Sequence, residues 1–160
     1  MRIYLAGPLG FSEIGRAFMP RLNDALTALG HEVLDPWTLT DTAAVQRMDY
    51  GPARRDAWRA LNRVIGANNR AAIDRADAVL AVLDGADVDS GTAAEVGYAF
   101  ARGKKILGYR GDFRLSADND GATINLQVEY FIRESGGDII AAIADLSDAL
   151  ARLATARSGP

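Results

Sequence analysis

Short apolar runs alternate along this chain with longer stretches in which apolar positions recur every three to four residues. Ile3 to Ala6 is an unbroken apolar run ended by Gly7-Pro8-Leu9-Gly10, which predicts a strand entering a tight loop. From Ser12, a candidate N-cap, residues Ile14, Phe18, Leu22, Ala25, Leu26 and Leu29 keep close to the helical period, and Gly30 closes it. Val33-Leu34 predicts a second strand, stopped by Asp35-Pro36. Residues 38–54 are polar and aperiodic and read as a loop or lid with one short helix. A helical pattern resumes at Arg55 through Trp58, Leu61, Ile65, Ala72 and Ala76, with Gly66 expected to break it into two pieces. Ala78 to Leu83 has the continuous apolar character of a strand buried on both faces. A helix is expected from about Thr92 to Arg102, stopped by Gly103, then a strand over Ile106 to Tyr109 and a polar loop over 111–123. An amphipathic segment from Asn125 to Ile132, a last strand over Ile139 to Ile143 and a helix over 145–153 complete the pattern.

Strands alternating with helices imply a parallel sheet wrapped on both faces through right-handed crossovers. The expected fold is α/β: a flavodoxin-like, doubly wound, five-stranded parallel sheet in the order 2-1-3-4-5. It forms one domain over residues 1–153, with a frayed tail at 154–160. Ligands of such sheets bind beyond the carboxyl ends of the strands where the winding reverses. The loop after Ala6 and the loop after Leu83 should therefore face each other across one crevice.

Composition narrows the chemistry. The 160 residues are 49% apolar and 24% charged, the range of soluble globular domains. No apolar run approaches a membrane span, and the apolar stretch after Met1-Arg2 is too short for a signal peptide, so a cytoplasmic protein without membrane association is expected. A net charge of −3 offers no basic field to a nucleic-acid polymer. The absence of cysteine excludes thiolate chemistry and disulfides. The single histidine, His31, follows Gly30 and reads as part of a helix terminus. Carboxylates, hydroxyls, amides and backbone groups are left to do the work.

The segment D-V-D-S-G-T-A-A-E-V-G-Y-A, residues 87–99, holds the most suggestive carboxylate, Glu95. Thr92 and Glu95 have the T-x-x-E spacing of a capping box, a purely structural device. The same glutamate follows the strand whose carboxyl end borders the predicted crevice, beside a helix N-terminus that favours its charged form, as a nucleophile requires. Asp89, with Asp84 and Asp87 forming an acidic rim, disfavours anions and favours hydroxyl groups.

Five stretches in order, Ile3-Tyr4-Leu5-Ala6-Gly7-Pro8, Ala76 to Ala81, Asp87 to Ala99, Gly103-Lys104-Lys105 and Ile124-Asn125-Leu126, together resemble the nucleoside 2-deoxyribosyltransferase family. The resemblance implies transfer of 2-deoxyribose between bases through a glycosyl ester on Glu95, with some hydrolysis when no acceptor base is present. It gives Tyr4 the place of the tyrosine that orients the nucleophile, and Asp89 that of a residue holding sugar hydroxyls. Asn125 takes the place of an asparagine lent by a neighbouring subunit; a helix-capping asparagine is its bland alternative. The resemblance thus implies a homodimer or higher homo-oligomer with sites at the subunit interface. Where familiar members carry an aspartate that assists the leaving base, this chain has Asn69, an amide that cannot supply a catalytic proton.

Phe11, Pro36 and Trp37 are candidates to sandwich a planar base, although Trp37 equally suits a core or subunit contact. Gly7, Pro8, Ser90 and Gly91 are expected in the loops around the substrate, and residues 112–119 read as a solvated polar loop. The partners expected are deoxyribonucleosides and free nucleobases, with no cofactor and no metal. Two rivals stand beside this reading: a 2′-deoxynucleoside 5′-monophosphate N-glycosidase using the same glutamate, and a non-catalytic nucleotide-sensing module in which Glu95 is only a cap.

Overall fold

The strand order β2-β1-β3-β4-β5, parallel throughout, organises the molecule, which a computed structural model describes over residues 1–156. The strands are β1 (Arg2–Ala6), β2 (Glu32–Leu34), β3 (Ala78–Val82), β4 (Lys105–Tyr109) and β5 (Ile139–Ile140). The helices are α1 (Glu13–Ala28), α2 (Ala43–Gln46), α3 (Pro52–Arg75), α4 (Ser90–Ala101), α5 (Leu126–Glu134) and α6 (Leu146–Thr155). Ile3 lies opposite Val33 on one side and Ala78 on the other, which fixes β1 between β2 and β3. This is the doubly wound sheet expected from the sequence. No described helix is long and apolar enough to cross a membrane.

Alternation along the central strands divides the core into two layers. Ile3, Leu5, Leu80, Val82 and Leu107 point to α1 and α6, where they meet Leu22, Leu26, Leu146 and Leu150. Tyr4, Ala6, Val79, Ala81 and Ile106 point the other way, to the end of α3 and to α4 and α5, among Ile73, Val96, Ala99 and Ile132. All five residues of β3 are buried, as its apolar run requires. The parity of β1 thus sends Tyr4 to the face that α4 covers.

Several local expectations are corrected. Gly66 does not break its helix: α3 runs unbroken over 24 residues. A glycine in a helix interior costs only about 1 kcal/mol relative to alanine, and this one sits on an open side where nothing would crowd a side chain. The helix also starts before Arg55, because Pro52 suits the first helical position, where no N–H is needed. The last strand is two residues long, rather than Ile139 to Ile143, because its one neighbour β4 ends at Tyr109 and leaves later residues nothing to pair with. The tail begins later than 154. Leu153 is buried and Lys105 Nζ donates to the carbonyls of Leu153 and Ala154, which carries α6 through Thr155. Residues 157–160 of that tail lie outside the described residues.

Both ends of α1 follow the sequence signals. Ser12 Oγ accepts from the Gly15 N–H at 2.9 Å and caps α1. Gly30 ends that helix at φ +78°, and the His31 N–H returns to the Leu26 carbonyl.

Candidate functional site

Beyond the carboxyl ends of β1 and β3 lies a cavity of about 920 Å³, within the range of small-molecule sites. Gly7, Gly10 and Phe11 from the loop after β1 form one wall, facing Asp89, Gly91, Thr92 and Glu95 from the turn into α4. The two loops do share one crevice. Of the acidic rim, only Asp89 reaches the cavity: Asp84 accepts the Asp112 N–H at 2.8 Å, and Asp87 turns back on the Val88 N–H at 2.7 Å.

Glu95 does not cap its helix. The N-cap of α4 is Asp89, whose Oδ2 accepts from the Thr92 N–H at 2.9 Å and from Thr92 Oγ1 at 3.1 Å. A carboxylate at this position satisfies the orphan N–H group and complements the helix dipole, so Thr92 has no need of Glu95. Helix α4 therefore begins two residues earlier than expected, and Glu95 falls in its second turn. Thr92, Val96 and Ala99 face the sheet, and Glu95, one position before Val96, looks across the cavity floor to β1 and α3.

There it meets two donors. Tyr4 Oη donates to Glu95 Oε1 at 2.6 Å, and Asn69 Nδ2 donates to the same oxygen at 3.4 Å. Oε2 has no hydrogen-bond partner among the described residues. Burial lifts the Glu95 carboxyl above the ordinary glutamate range; the Tyr4 bond opposes that lift, the Asp89 charge adds to it, and the Asn69 bond opposes it. Tyr4 is fully buried, and its hydroxyl holds its proton far more tightly than a free phenol, through burial first and the Glu95 charge second. It is a neutral donor at any ordinary pH.

The mouth of the cavity is aromatic. Phe11 meets Trp37 edge-on with ring centroids 4.7 Å apart. Trp37 Nε1 donates to the Gly7 carbonyl at 3.3 Å. Gly10 permits this packing, since a Cβ there would lie 2.1 Å from the Trp37 ring. Pro36 lines the same wall. Asp35, buried and read in the sequence only as a strand stop, anchors the segment: its carboxylate accepts from the Trp37 N–H at 2.9 Å and from Asn23 Nδ2 at 3.2 Å, and its carbonyl accepts from Thr38 Oγ1.

Residues 38–51 then cross over the cavity. Thr38, Thr40, Thr42 and Gln46 line it, and Asn68 Nδ2 ties the segment to α3 through Thr40 Oγ1 at 2.8 Å. The opposite wall is α3, which contributes Trp58, Asn62, Ile65 and Asn69. Arg16, at the start of α1, lines the cavity and donates to the Gly10 carbonyl at 3.0 Å. The threonines, Gln46, Asn62, Trp58, Ile65 and Arg16 were not among the candidates drawn from the sequence.

Of the candidates that were, the structure gathers Glu95, Tyr4, Asn69, Gly7, Phe11, Pro36, Trp37, Asp89 and Gly91 at this one cavity. Pro8 and Ser90 sit beside it without lining it. Asn125 does not reach it. Its Oδ1 caps α5, accepting from the N–H groups of Gln127 and Val128, and its Nδ2 donates to Asp118 at 3.2 Å. Among the described residues, no group of three or more His, Cys, Asp or Glu side chains could hold a metal ion.

The model of the nucleoside 2-deoxyribosyltransferase family matches residues 3–127. The 2-deoxyribosyltransferase of the psychrotolerant bacterium Bacillus psychrosaccharolyticus is similar in structure at a TM-score of 0.70 and 22% identity, over 96% of each chain. The corresponding enzyme of Leishmania mexicana gives 0.63 at 24% identity over 94% of each chain. A CMP N-glycosidase of Clostridium botulinum gives 0.50 at 22%, over 94% of this chain and 98% of its own. At these identities the likeness is one of fold. No curated protein matches the sequence.

Proposed function

The chain belongs to the nucleoside 2-deoxyribosyltransferase family, and from that premise we propose that it moves a 2-deoxyribosyl group between nucleobases, with Glu95 as the nucleophile. The observation that carries this reading is the asymmetry of the Glu95 carboxylate: Tyr4 and Asn69 both bond Oε1, leaving Oε2 open in a cavity-lining residue. One oxygen is held and the other is available, the arrangement wanted for an in-line attack.

Oε2 attacks C1′ of a deoxyribonucleoside, the C1′–N bond breaks, and its electron pair departs with the base. A nitrogen of a second base then attacks C1′, the ester C1′–O bond breaks, and the carboxylate is regenerated as the incoming base loses its N–H proton. Two displacements retain configuration at C1′. Water in place of the second base gives hydrolysis. Phe11, Pro36 and Trp37 hold the base. Asp89, with an oxygen free after its capping bonds through Oδ2, takes a sugar hydroxyl. Asn125, engaged at the start of α5 away from its own cavity, completes the site of a second copy of the chain.

Asp89 also separates this reading from its rivals. Its carboxylate occupies the N-terminus of α4, where a 5′-phosphate would otherwise find free N–H groups, and its charge opposes an anion there. That supports a nucleoside over a nucleotide. The same capping role leaves Glu95 without a structural duty at the helix end, which supports an enzyme over a sensing module. Incubation of deoxyinosine with free adenine, followed by chromatography, tests the proposal: deoxyadenosine and hypoxanthine are expected. Free sugar alone would mark a hydrolase, and unchanged reactants would contradict catalysis.

A further inference from the structure

Among the described residues of this chain, the cavity lining holds the nucleophile Glu95 and one other carboxylate, Asp89. Its charged and titratable lining groups can be taken element by element. From α4 and the turn before it come Glu95 and Asp89; from α1 comes Arg16. The four lining residues of α3, Trp58, Asn62, Ile65 and Asn69, are neutral, as are Thr38, Thr40, Thr42 and Gln46 of the crossing segment. Behind the wall, Tyr4 and Asp35 are buried and committed to Glu95 and to the Trp37 N–H.

None of these is an acid for the base. Glu95 must be ionised to attack. Asp89 is engaged at the N-terminus of α4, where its Oδ2 accepts from the Thr92 N–H and from Thr92 Oγ1. Arg16 donates to the Gly10 carbonyl. Tyr4 is enclosed behind Glu95 and faces no ligand. Asn69 turns its amide N–H toward Glu95, and its Oδ1 is buried without a partner among the described residues. Solvent does reach the aromatic end of the cavity, where Phe11 is 72% exposed and Trp37 38%.

We propose that the departing base takes its proton from solvent rather than from the protein, so that the donors of this enzyme are nucleosides whose base carries a basic ring nitrogen away from the glycosidic bond, as purines and cytosine do and thymine does not. This rests on the deoxyribosyl-transfer reading above and assigns its substrate class. A purine carries a basic ring nitrogen, N7, remote from the glycosidic bond. Protonated there by solvent, it leaves as a neutral base when Glu95 Oε2 forms the new bond to C1′ and the C1′–N9 electron pair returns to the ring. Thymine has no such basic nitrogen and would have to leave as an anion. General acid help of the kind missing here is typically worth about 10²- to 10⁴-fold, and thymidine should be the poorer donor by a factor of that order.

The test compares deoxyguanosine, its 7-deaza analogue and thymidine as donors to free adenine, each across pH. Deoxyguanosine is expected to react, with kcat/KM falling tenfold per pH unit on the alkaline side of the Glu95 inflection and showing no plateau there. The 7-deaza analogue and thymidine should be slower by at least about 100-fold. Asn69→Asp should add an alkaline plateau and raise thymidine turnover. A plateau at one pH for every donor in the unaltered protein would reveal a protein acid, from this chain or a second copy, and overturn the proposal. Thymidine reacting as fast as deoxyguanosine would do the same while leaving transfer intact. No exchange with any donor would instead overturn the transfer reading itself, and this inference with it.

Discussion

The hydroxyl of Tyr4 lies 2.6 Å from Glu95 Oε1, joining residues 91 positions apart across the interface of β1 and α4. The bond opposes the upward pull of burial on the Glu95 carboxyl and fixes which oxygen remains open. Tyr4→Phe removes a donor to the charged form, so the Glu95 pKa should rise further and the nucleophile should be lost at a higher pH. The inflection reporting Glu95, read from kcat/KM or from carboxyl ¹³C shifts, is expected to move up. Hydrogen bonds to charged groups are worth about 1.5–3 kcal/mol, so kcat/KM should fall about 10- to 100-fold. An inflection that stays in place would mean that the bond does not tune Glu95.

Asp89→Asn should move the same inflection the other way. The negative charge of Asp89 raises the Glu95 pKa, and its removal lowers it. Asparagine caps a helix about as well as aspartate, so stability should change by less than about 0.5 kcal/mol, whereas Asp89→Ala should cost about 0.5–2 kcal/mol. A thermal melt beside the pH profile separates the two effects. An upward shift in Asp89→Asn would contradict the electrostatic account.

Gly10→Ala tests the aromatic wall without touching the carboxylates. The added methyl would overlap the Trp37 ring, which must leave its place against Phe11. Aromatic stacking on a base is worth about 1–3 kcal/mol, so KM for the donor should rise about 5- to 150-fold with kcat changed much less. Steady-state kinetics decide this: a fall in kcat with KM unchanged would place Trp37 outside the base site.

The layout of the sheet was legible because its signals are local and strong. The apolar runs Ile3 to Ala6 and Ala78 to Leu83 have the parity of strands covered on both faces, and Ser12 and Gly30 punctuate α1 where they should. The cap of α4 was misread because Thr92-x-x-Glu95 and Asp89 both satisfy cap chemistry; the choice depends on Tyr4, 91 residues away from Glu95 in the chain, which offers the glutamate a better partner. Half of the cavity wall was missed for a similar reason. Trp58, Asn62 and Ile65 share one face of α3 with the candidate Asn69, and the periodicity of Trp58 and Ile65 suggested a core. The amides interleaved on that face were the available sign that it borders a polar space. The hold of Asp35 on Trp37 is a tertiary contact that no period announces.

The proposed loan of Asn125 between subunits predicts complementation. Glu95→Gln and Asn125→Ala should each be inactive, and sedimentation should show at least a dimer. Mixing them after dissociation should restore about a quarter of the activity, because half of the random dimers carry one intact site of two. No recovery from demonstrably mixed dimers would mean that each chain completes its own site.

The central claim is the covalent step at Glu95. The direct measurement is mass spectrometry of the protein quenched in acid during turnover of a purine deoxyribonucleoside with no acceptor base, followed by peptide mapping. The account predicts one deoxyribosyl group per active site, on the peptide spanning residues 76–102 and localised by fragmentation to Glu95, and none on the Glu95→Gln protein. Release of base at the normal rate with no sugar on the protein, or with the sugar on another residue, would contradict it.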